Sequence, residues 1–297
     1  MNSGTNQPIV FFGTEDFSLA SLQALVENHF NVVAAVTKPD SFRGRGRKLT
    51  PPSVKVYAER NDIPVWQPNK LSEIIDQIKT MDKPVGVLVS FGKIIPQSII
   101  DLFSPGIINV HPSLLPKYRG PSPIESAIAN DDIETGVSIM QLSAQMDAGP
   151  VYSQTKHALN GTETQAKLYE SLAKEGADKL IQVLPNIISG TLGATAQNDK
   201  LATYCQLLSK ELSYIDPATH DATTIERYIR AYGVYPKIRL PFHGQTVIVT
   251  KAHTLSAPNE TALRCQNNSF LAIDQLISPT SGKTMTAKDY LRGLQNI

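Results

Sequence analysis

A doubly wound α/β domain followed by a small β-rich domain is the fold that this sequence predicts, on three observations. Short apolar runs alternate with amphipathic helical patterns through the first two-thirds of the chain. The run VGVLVSFG, Val85 to Gly92, is unbroken and β-rich, as in a strand covered on both faces of a parallel sheet. Beyond residue 208 the pattern changes to strands separated by turn signals.

Taken in order, IVFFG (Ile9 to Gly13) is an apolar run ending at a glycine. The next segment, FSLASLQALVENH, spaces Phe17, Leu19, Leu22, Leu25 and Val26 helically, so the chain opens as strand, tight turn and helix. VVAAVTKPD (Val32 to Asp40) is the second strand, PSVKVYAERNDI a helix and IPVWQP a short strand. TETQAKLYESLAKEGADKLIQVLPNI, Thr162 to Ile187, is a long amphipathic helix with a capping-type start and a proline near its end. These elements predict a Rossmann-like sheet over residues 1–188. SGTLGATAQNDKLATY is small and polar, and residues 189–207 are expected to be a linker. In 208–297, ATTIERYIRAY is helical, and two strand-rich stretches come after it, with turns at His243-Gly244 and Asn267-Asn268.

The 297 residues suffice for two domains that each bury a core, and 41% hydrophobic with 19% charged residues is a soluble globular composition. A net charge of +1 excludes a chain coated in basic surface, so any nucleic acid must be met by a local patch. Cys205 and Cys265 lack metal or redox spacing, which suits core filler in a reducing compartment. The first residues show no basic region or apolar run of signal length, and no stretch approaches the roughly 20 apolar residues of a membrane helix. A cytoplasmic monomer without membrane association is expected.

The segment GIINVHPSLLPKYRG, Gly106 to Gly120, carries the chemistry. Its apolar start reads as a buried strand, yet it contains Asn109 and ends at His111-Pro112. Residues two apart on a strand share a face, so Asn109 and His111 should project together. Pro112 and Pro116 force HPSLLPKYRG into a loop at the carboxyl end of the strand, where open α/β sheets bind ligands. An Asn amide holds a carbonyl oxygen and a His exchanges protons near neutrality, so the pair suits an acyl group attacked by an amine. Asp147, before Ala148-Gly149-Pro150, lies in a turn between two strand-like runs from which it can approach His111. A carboxylate there favours the charged imidazole and can accept a proton from the amine. Taken singly, an Asn beside a His is as readily a structural pair, and an Asp before Gly-Pro a turn residue. Ser113 lacks the G-x-S-x-G elbow, and neither HExxH nor paired CxxC is present, so no metal is expected.

INVHPSLLPKYRG, with MDAGPVY further along, resembles the folate-dependent formyltransferases. The resemblance implies a catalytic set of Asn109, His111 and Asp147, with 10-formyltetrahydrofolate as donor and a primary amine as acceptor. It assigns Ser113, Leu114, Leu115 and Pro116 to a folate-contacting loop, and SFGKIIP, with Phe91, Gly92 and Ile95, to the wall beside the pterin. An apolar slot of Phe91, Ile95 and Leu115 would suit a flat pteridine. Family members that act on glycinamide ribonucleotide share the HPSLLPKYRG loop but lead their first strand into a phosphate-binding turn. Here that turn is FGTEDFS, whose Glu15 and Asp16 oppose a bound phosphate.

Three features resemble instead the branch of the family that acts on initiator methionyl-tRNA: the opening FFGTEDFSLASLQAL, the insertion TKPDSFRGRGRKLTPPSVKVYAERNDIPVWQP, and the end SPTSGKTMTAKDYLRG of an OB-like second domain. They imply tRNA contacts by Arg43, Arg45, Arg47 and Lys48, with the methionyl end near Gly13, Thr14 and Phe17. Four cations on a glycine-loosened loop suit RNA phosphates whatever the family. The alternative acceptor is a nucleotide-linked amino sugar. The chain departs from the family at YGVYPKIRL, Tyr232 to Leu240, where an Asn-Pro-Trp-Pro-like turn is usual.

Overall fold

The computed structural model describes residues 6–43 and 48–295. In chain order the elements are β1 (Ile9–Gly13), α1 (Asp16–Glu27), β2 (Val32–Val36), β3 (Ser41–Arg43), β4 (Lys48–Thr50), α2 (Ser53–Arg60), β5 (Val65–Trp66), α3 (Ile75–Lys79), β6 (Val85–Val89), α4 (Gln97–Ile100) and β7 (Ile107–His111). They continue with α5 (Pro123–Ala129), β8 (Glu134–Gln141), β9 (Val151–Ala158), α6 (Gln165–Ile188), α7 (Ala222–Ala231), β10 (Ile238–Phe242), β11 (Gln245–Leu255), β12 (Ala262–Arg264), β13 (Phe270–Ile277), β14 (Thr284–Thr286) and α8 (Ala287–Gln295).

Two compact units form. The first comprises residues 1–120, 135–157 and 169–204, and the second 121–134, 158–168 and 205–297. Residues 189–204, which read as a linker in the sequence, are fixed within the first unit: Thr195 bridges to Val151 and Tyr204 to Arg119.

The first unit is built on a seven-stranded sheet of order β5-β2-β1-β6-β7-β8-β9. Strands β5, β2, β1, β6 and β7 are parallel, whereas β8 runs antiparallel to β7. The chain winds outward from β1 in both directions, so a switch point lies between β1 and β6, as the alternating pattern predicts. Ile9, Val10, Phe11 and Phe12 of β1 are fully buried, each stabilising the fold by about 1.5–3 kcal/mol relative to exposure. Phe12 meets Phe91 and Phe103 edge to face, with centroids at 5.6 and 5.8 Å.

The second unit holds an antiparallel sheet of order β10-β11-β13-β12, with β14 paired to β13. Its hairpin turn at His243-Gly244 has φ of 46° and 77°, the left-handed pair that a two-residue loop requires. The turn after α7 is held from within: Gln165 Oε1 accepts from Val234 N at 2.8 Å, and Gln165 Nε2 donates to Glu125 Oε1 at 2.6 Å. Both cysteines are buried, and burial pushes the Cys265 thiol up to about 11, so it packs as an apolar group. Among the described residues no helix is long and apolar enough to cross a membrane.

Phe12→Ala should cost about 3–5 kcal/mol, because the two aromatic neighbours cannot close the cavity. Trp66, the single tryptophan, packs against the same core and reports this unit in urea unfolding. A loss below about 1 kcal/mol would deny Phe12 its central place. A second expectation concerns Glu125, whose carboxyl is pushed up from the ordinary 4.5 by burial, partly offset by its own backbone and by Gln165. The folded state therefore binds this proton more tightly than the unfolded chain, and stability falls as pH rises above 4.5. Glu125→Gln keeps the acceptor for Gln165 and removes the titration. Amide protection in α7 should match the wild type near about pH 4 and exceed it near about pH 7. A gain independent of pH would contradict the assignment.

Candidate active site

Strand β7 is buried along its whole length and ends in the two polar residues that its sequence made conspicuous. Asn109 and His111 are each 5% exposed. Among the described residues none forms a hydrogen bond with the Asn109 side chain. The imidazole is held at Nε2, 3.0 Å from the carbonyl oxygen of Tyr118. A carbonyl only accepts, so Nε2 carries a proton and Nδ1 is the nitrogen turned to Asp147, whose Oδ2 lies 3.7 Å away. That separation is within ion-pair range and longer than a hydrogen bond.

Asp147 reaches His111 by a route that spacing did not disclose. In the register of β7 and β8, His111 faces Ser138 and Ile108 faces Gln141, and Leu142 N donates to Ile107 O at 2.8 Å. The loop after β8 therefore leaves the sheet at the far end of β7. It doubles back alongside β7 and brings the Asp147 side chain to His111. Asp147 adopts φ of 48°, and its Oδ2 accepts from Gly120 N at 2.8 Å. Gly149 passes so close to β8 that a Cβ there would stand 1.9 Å from Gln141 O.

The SLLP loop is preformed. Ser113 is buried and its Oγ donates to Lys117 O at 2.6 Å. Leu115 N donates to Ser138 Oγ at 3.1 Å, Ser138 Oγ to Ser113 O at 2.6 Å, and Gln154 Nε2 to both Leu115 O and Ser138 Oγ at 2.9 Å. Leu115 is buried, while Leu114 and Pro116 are half-buried. The sequence reading missed Ser138 and Gln154. A serine inside the apolar strand ETGVSIMQ was the available signal for the first, of the same kind as Asn109, whereas Gln154 has none in its alternating strand.

Other expected contacts are redistributed. Phe91 and Ile95 belong to the apolar core of the first unit, so they back the site from behind. Ile94, at 86% exposure, is the apolar side chain that this loop presents. Gly92 is exposed with φ of 69°, in the left-handed region that glycine enters without steric cost. At the end of β1, Gly13 is buried, Thr14 Oγ1 donates to Phe91 O at 3.1 Å, and Phe17 stacks edge to face on Tyr169. The side chains of Thr14 and Phe17, expected near the methionyl end, are buried and engaged in packing. Glu15 and Asp16 are exposed; Glu15 forms no side-chain cap, and Asp16 accepts from Ser53 Oγ at 2.8 Å. Lys48 is exposed on β4. Arg45, Arg47 and the Arg43 side chain lie outside the described residues.

An amide, an imidazole and a carboxylate thus gather at the carboxyl end of a parallel strand, a set of groups whose chemistry can serve acyl transfer. Residues 7–184 match the formyl transferase family and residues 207–295 the formyl transferase C-terminal domain, so the chain belongs to the formyl transferase family and is a formyltransferase. Its relatives are methionyl-tRNA formyltransferases. It is 36% identical to that of Halorhodospira halophila and 35% identical to that of a Sulfurihydrogenibium species, each over 96% of both chains. Among solved structures, a Helicobacter canadensis N-formyltransferase in complex with folinic acid and dTDP-3-aminofucose shares the fold at a TM-score of 0.69 and 19% identity, covering 89% of this chain and 98% of that one. HypX from Aquifex aeolicus in complex with tetrahydrofolic acid does so at 0.66 and 16%, covering 95% and 46%.

If Asp147 handles a proton, Asp147→Asn should lower kcat by about 10²- to 10⁴-fold. Folate binding should be nearly unchanged, since shape and the bond from Gly120 are retained. Stopped-flow turnover with a parallel folate titration separates the two, and wild-type turnover would remove Asp147 from the chemistry.

Proposed function

We propose that this formyltransferase moves the formyl group of 10-formyltetrahydrofolate to the α-amino group of methionine carried by initiator tRNA, supplying translation initiation in the cytoplasm. The observation that carries the chemistry is the unpartnered Asn109 amide beside an imidazole fixed at Nε2 and facing Asp147. The acceptor is supported by similarity to methionyl-tRNA formyltransferases across 96% of the chain. The sugar-acting neighbours are below 25% identical and speak to the fold alone. The first turn disfavours a nucleotide phosphate, because the exposed carboxylates of Glu15 and Asp16 occupy it.

In this reading the amine nitrogen attacks the formyl carbon and the carbonyl electrons move onto oxygen. Asn109 Nδ2–H and a proton on His111 Nδ1 hold the oxyanion. Asp147 takes the proton that the attacking nitrogen must shed, directly or through one water. The oxyanion then collapses to the carbonyl as the bond from carbon to the folate nitrogen breaks, and that nitrogen takes up the proton that Asp147 had accepted. Catalytic hydrogen bonds are often long in a ligand-free protein and shorten in the complex, which accommodates the 3.7 Å between His111 and Asp147. The folate lies against the preformed SLLP loop and the SFGKIIP segment. Arg43, Arg45, Arg47 and Lys48 meet phosphates of the acceptor arm.

The test is formyl transfer from 10-formyltetrahydrofolate to methionine-charged initiator tRNA, with elongator tRNA and free methionine alongside. Transfer to the initiator species alone is expected. Donor hydrolysis or folate binding without tRNA formylation would overturn the acceptor, and amino-sugar nucleotides would then be assayed. Replacing Arg43, Arg45 and Arg47 by Gln should raise KM for tRNA at least about tenfold and lower the slope of log KM against log salt by roughly two to three. An unchanged KM would make the loop ordinary solvated surface.

A further inference from the structure

The segment expected as a linker sends one side chain to the catalytic loop. Gln197 Nε2 donates to the backbone carbonyl oxygens of Asp147, at 2.8 Å, and Gly149, at 2.7 Å, so both of its protons are committed. Gln197 Oε1 accepts from Arg119 Nε at 3.0 Å and Nη2 at 2.9 Å, a two-point grip that fixes which way the amide faces. Arg119 is itself held, its side chain 3% exposed, with Nη2 also 2.7 Å from Asp199 Oδ1 and Nη1 3.3 Å from the Tyr204 hydroxyl.

The neighbours of Arg119 in the chain complete the pattern. Tyr118 gives the carbonyl that holds His111 Nε2, and Gly120 gives the N–H that holds Asp147 Oδ2. One tripeptide thus grips the imidazole, the carboxylate and, through Gln197, the backbone of the loop that carries the carboxylate. That loop needs such a grip. It doubles back along β7 with Asp147 at φ of 48°, a left-handed turn conformation that an aspartate tolerates and that no strand pairing holds in place.

We propose that Gln197 is a positioning residue for formyl transfer: oriented by Arg119, it clamps the 147–149 backbone so that the Asp147 carboxylate stays turned to His111 Nδ1. The proposal rests on the reading of Asp147 as the proton acceptor. Its competitor is a structural role in which Gln197 only satisfies the buried Arg119 guanidinium.

Gln197→Glu separates the two. The carboxylate keeps, and strengthens, the partner of Arg119 but has no proton for the two carbonyls. Clamping predicts a fall in kcat of about 10²-fold, the scale of a misplacement of about 1 Å, with KM for both substrates within about threefold of wild type. A structural role predicts wild-type kcat. Gln197→Met, uncharged and of similar length, also lacks the donors and should show the same split between kcat and KM. Both are assayed below their melting transitions, followed through Trp66. Wild-type kcat in either folded variant overturns the proposal, as does a loss confined to KM. Asp147→Asn is measured beside them. If it turns over normally, the reading of Asp147 falls and the clamp with it; if it is inactive while the Gln197 variants turn over normally, the clamp alone falls.

Discussion

A buried imidazole must find partners for its ring nitrogens, and this requirement at His111 organises the loop beyond it. The carbonyl of Tyr118, seven residues on, takes Nε2. To return a backbone oxygen to that point the chain folds HPSLLPKYRG into a closed loop, pinned by Ser113 N to His111 O at 2.9 Å and by Ser113 Oγ to Lys117 O. The same return brings Gly120 N to Asp147. Orientation of the ring, shape of the folate-side loop and placement of the carboxylate are therefore consequences of one hydrogen bond and the loop that makes it possible.

The sheet supplies the rigidity on which that arrangement depends. β7 is flanked by β6 on one side and β8 on the other, and all five of its residues are buried. Ser138 on β8 sits opposite His111 and ties the SLLP backbone, so a neighbouring strand supports both the imidazole and the loop beyond it. Sites built on strands are held more precisely than sites on loops alone. Asp147 is the exception, a catalytic candidate on a loop, and it is the residue whose backbone is clasped from outside by Gln197.

The second unit uses a different economy of polar groups. Glu125, Gln165 and the backbone N–H of Val234 form a chain of hydrogen bonds that fixes the turn after α7. Its support comes from a carboxyl whose burial opposes ionisation, so the second unit carries a dependence on pH that the first unit's sheet does not explain.

The sequence alone determined the doubly wound first sheet, the antiparallel second sheet and the face shared by Asn109 and His111, because periodicity and turn chemistry are local. It also marked Asp147, through the turn residues around it. Only the tertiary structure decided which side chains are open. Phe91, Ile95, Thr14 and Phe17 look like lining in a motif, yet they are packed, since burial depends on what the rest of the chain lays over them. Ile94 and Ile95 are neighbours of equal hydropathy, and no local rule says which of them faces outward. The path of the Asp147 loop depends on strand register, and the hold of Gln197 upon it joins residues 50 apart in a stretch whose composition reads as a linker. A contact of that kind leaves no period in the sequence, because its geometry exists only once the sheet has brought the segments together.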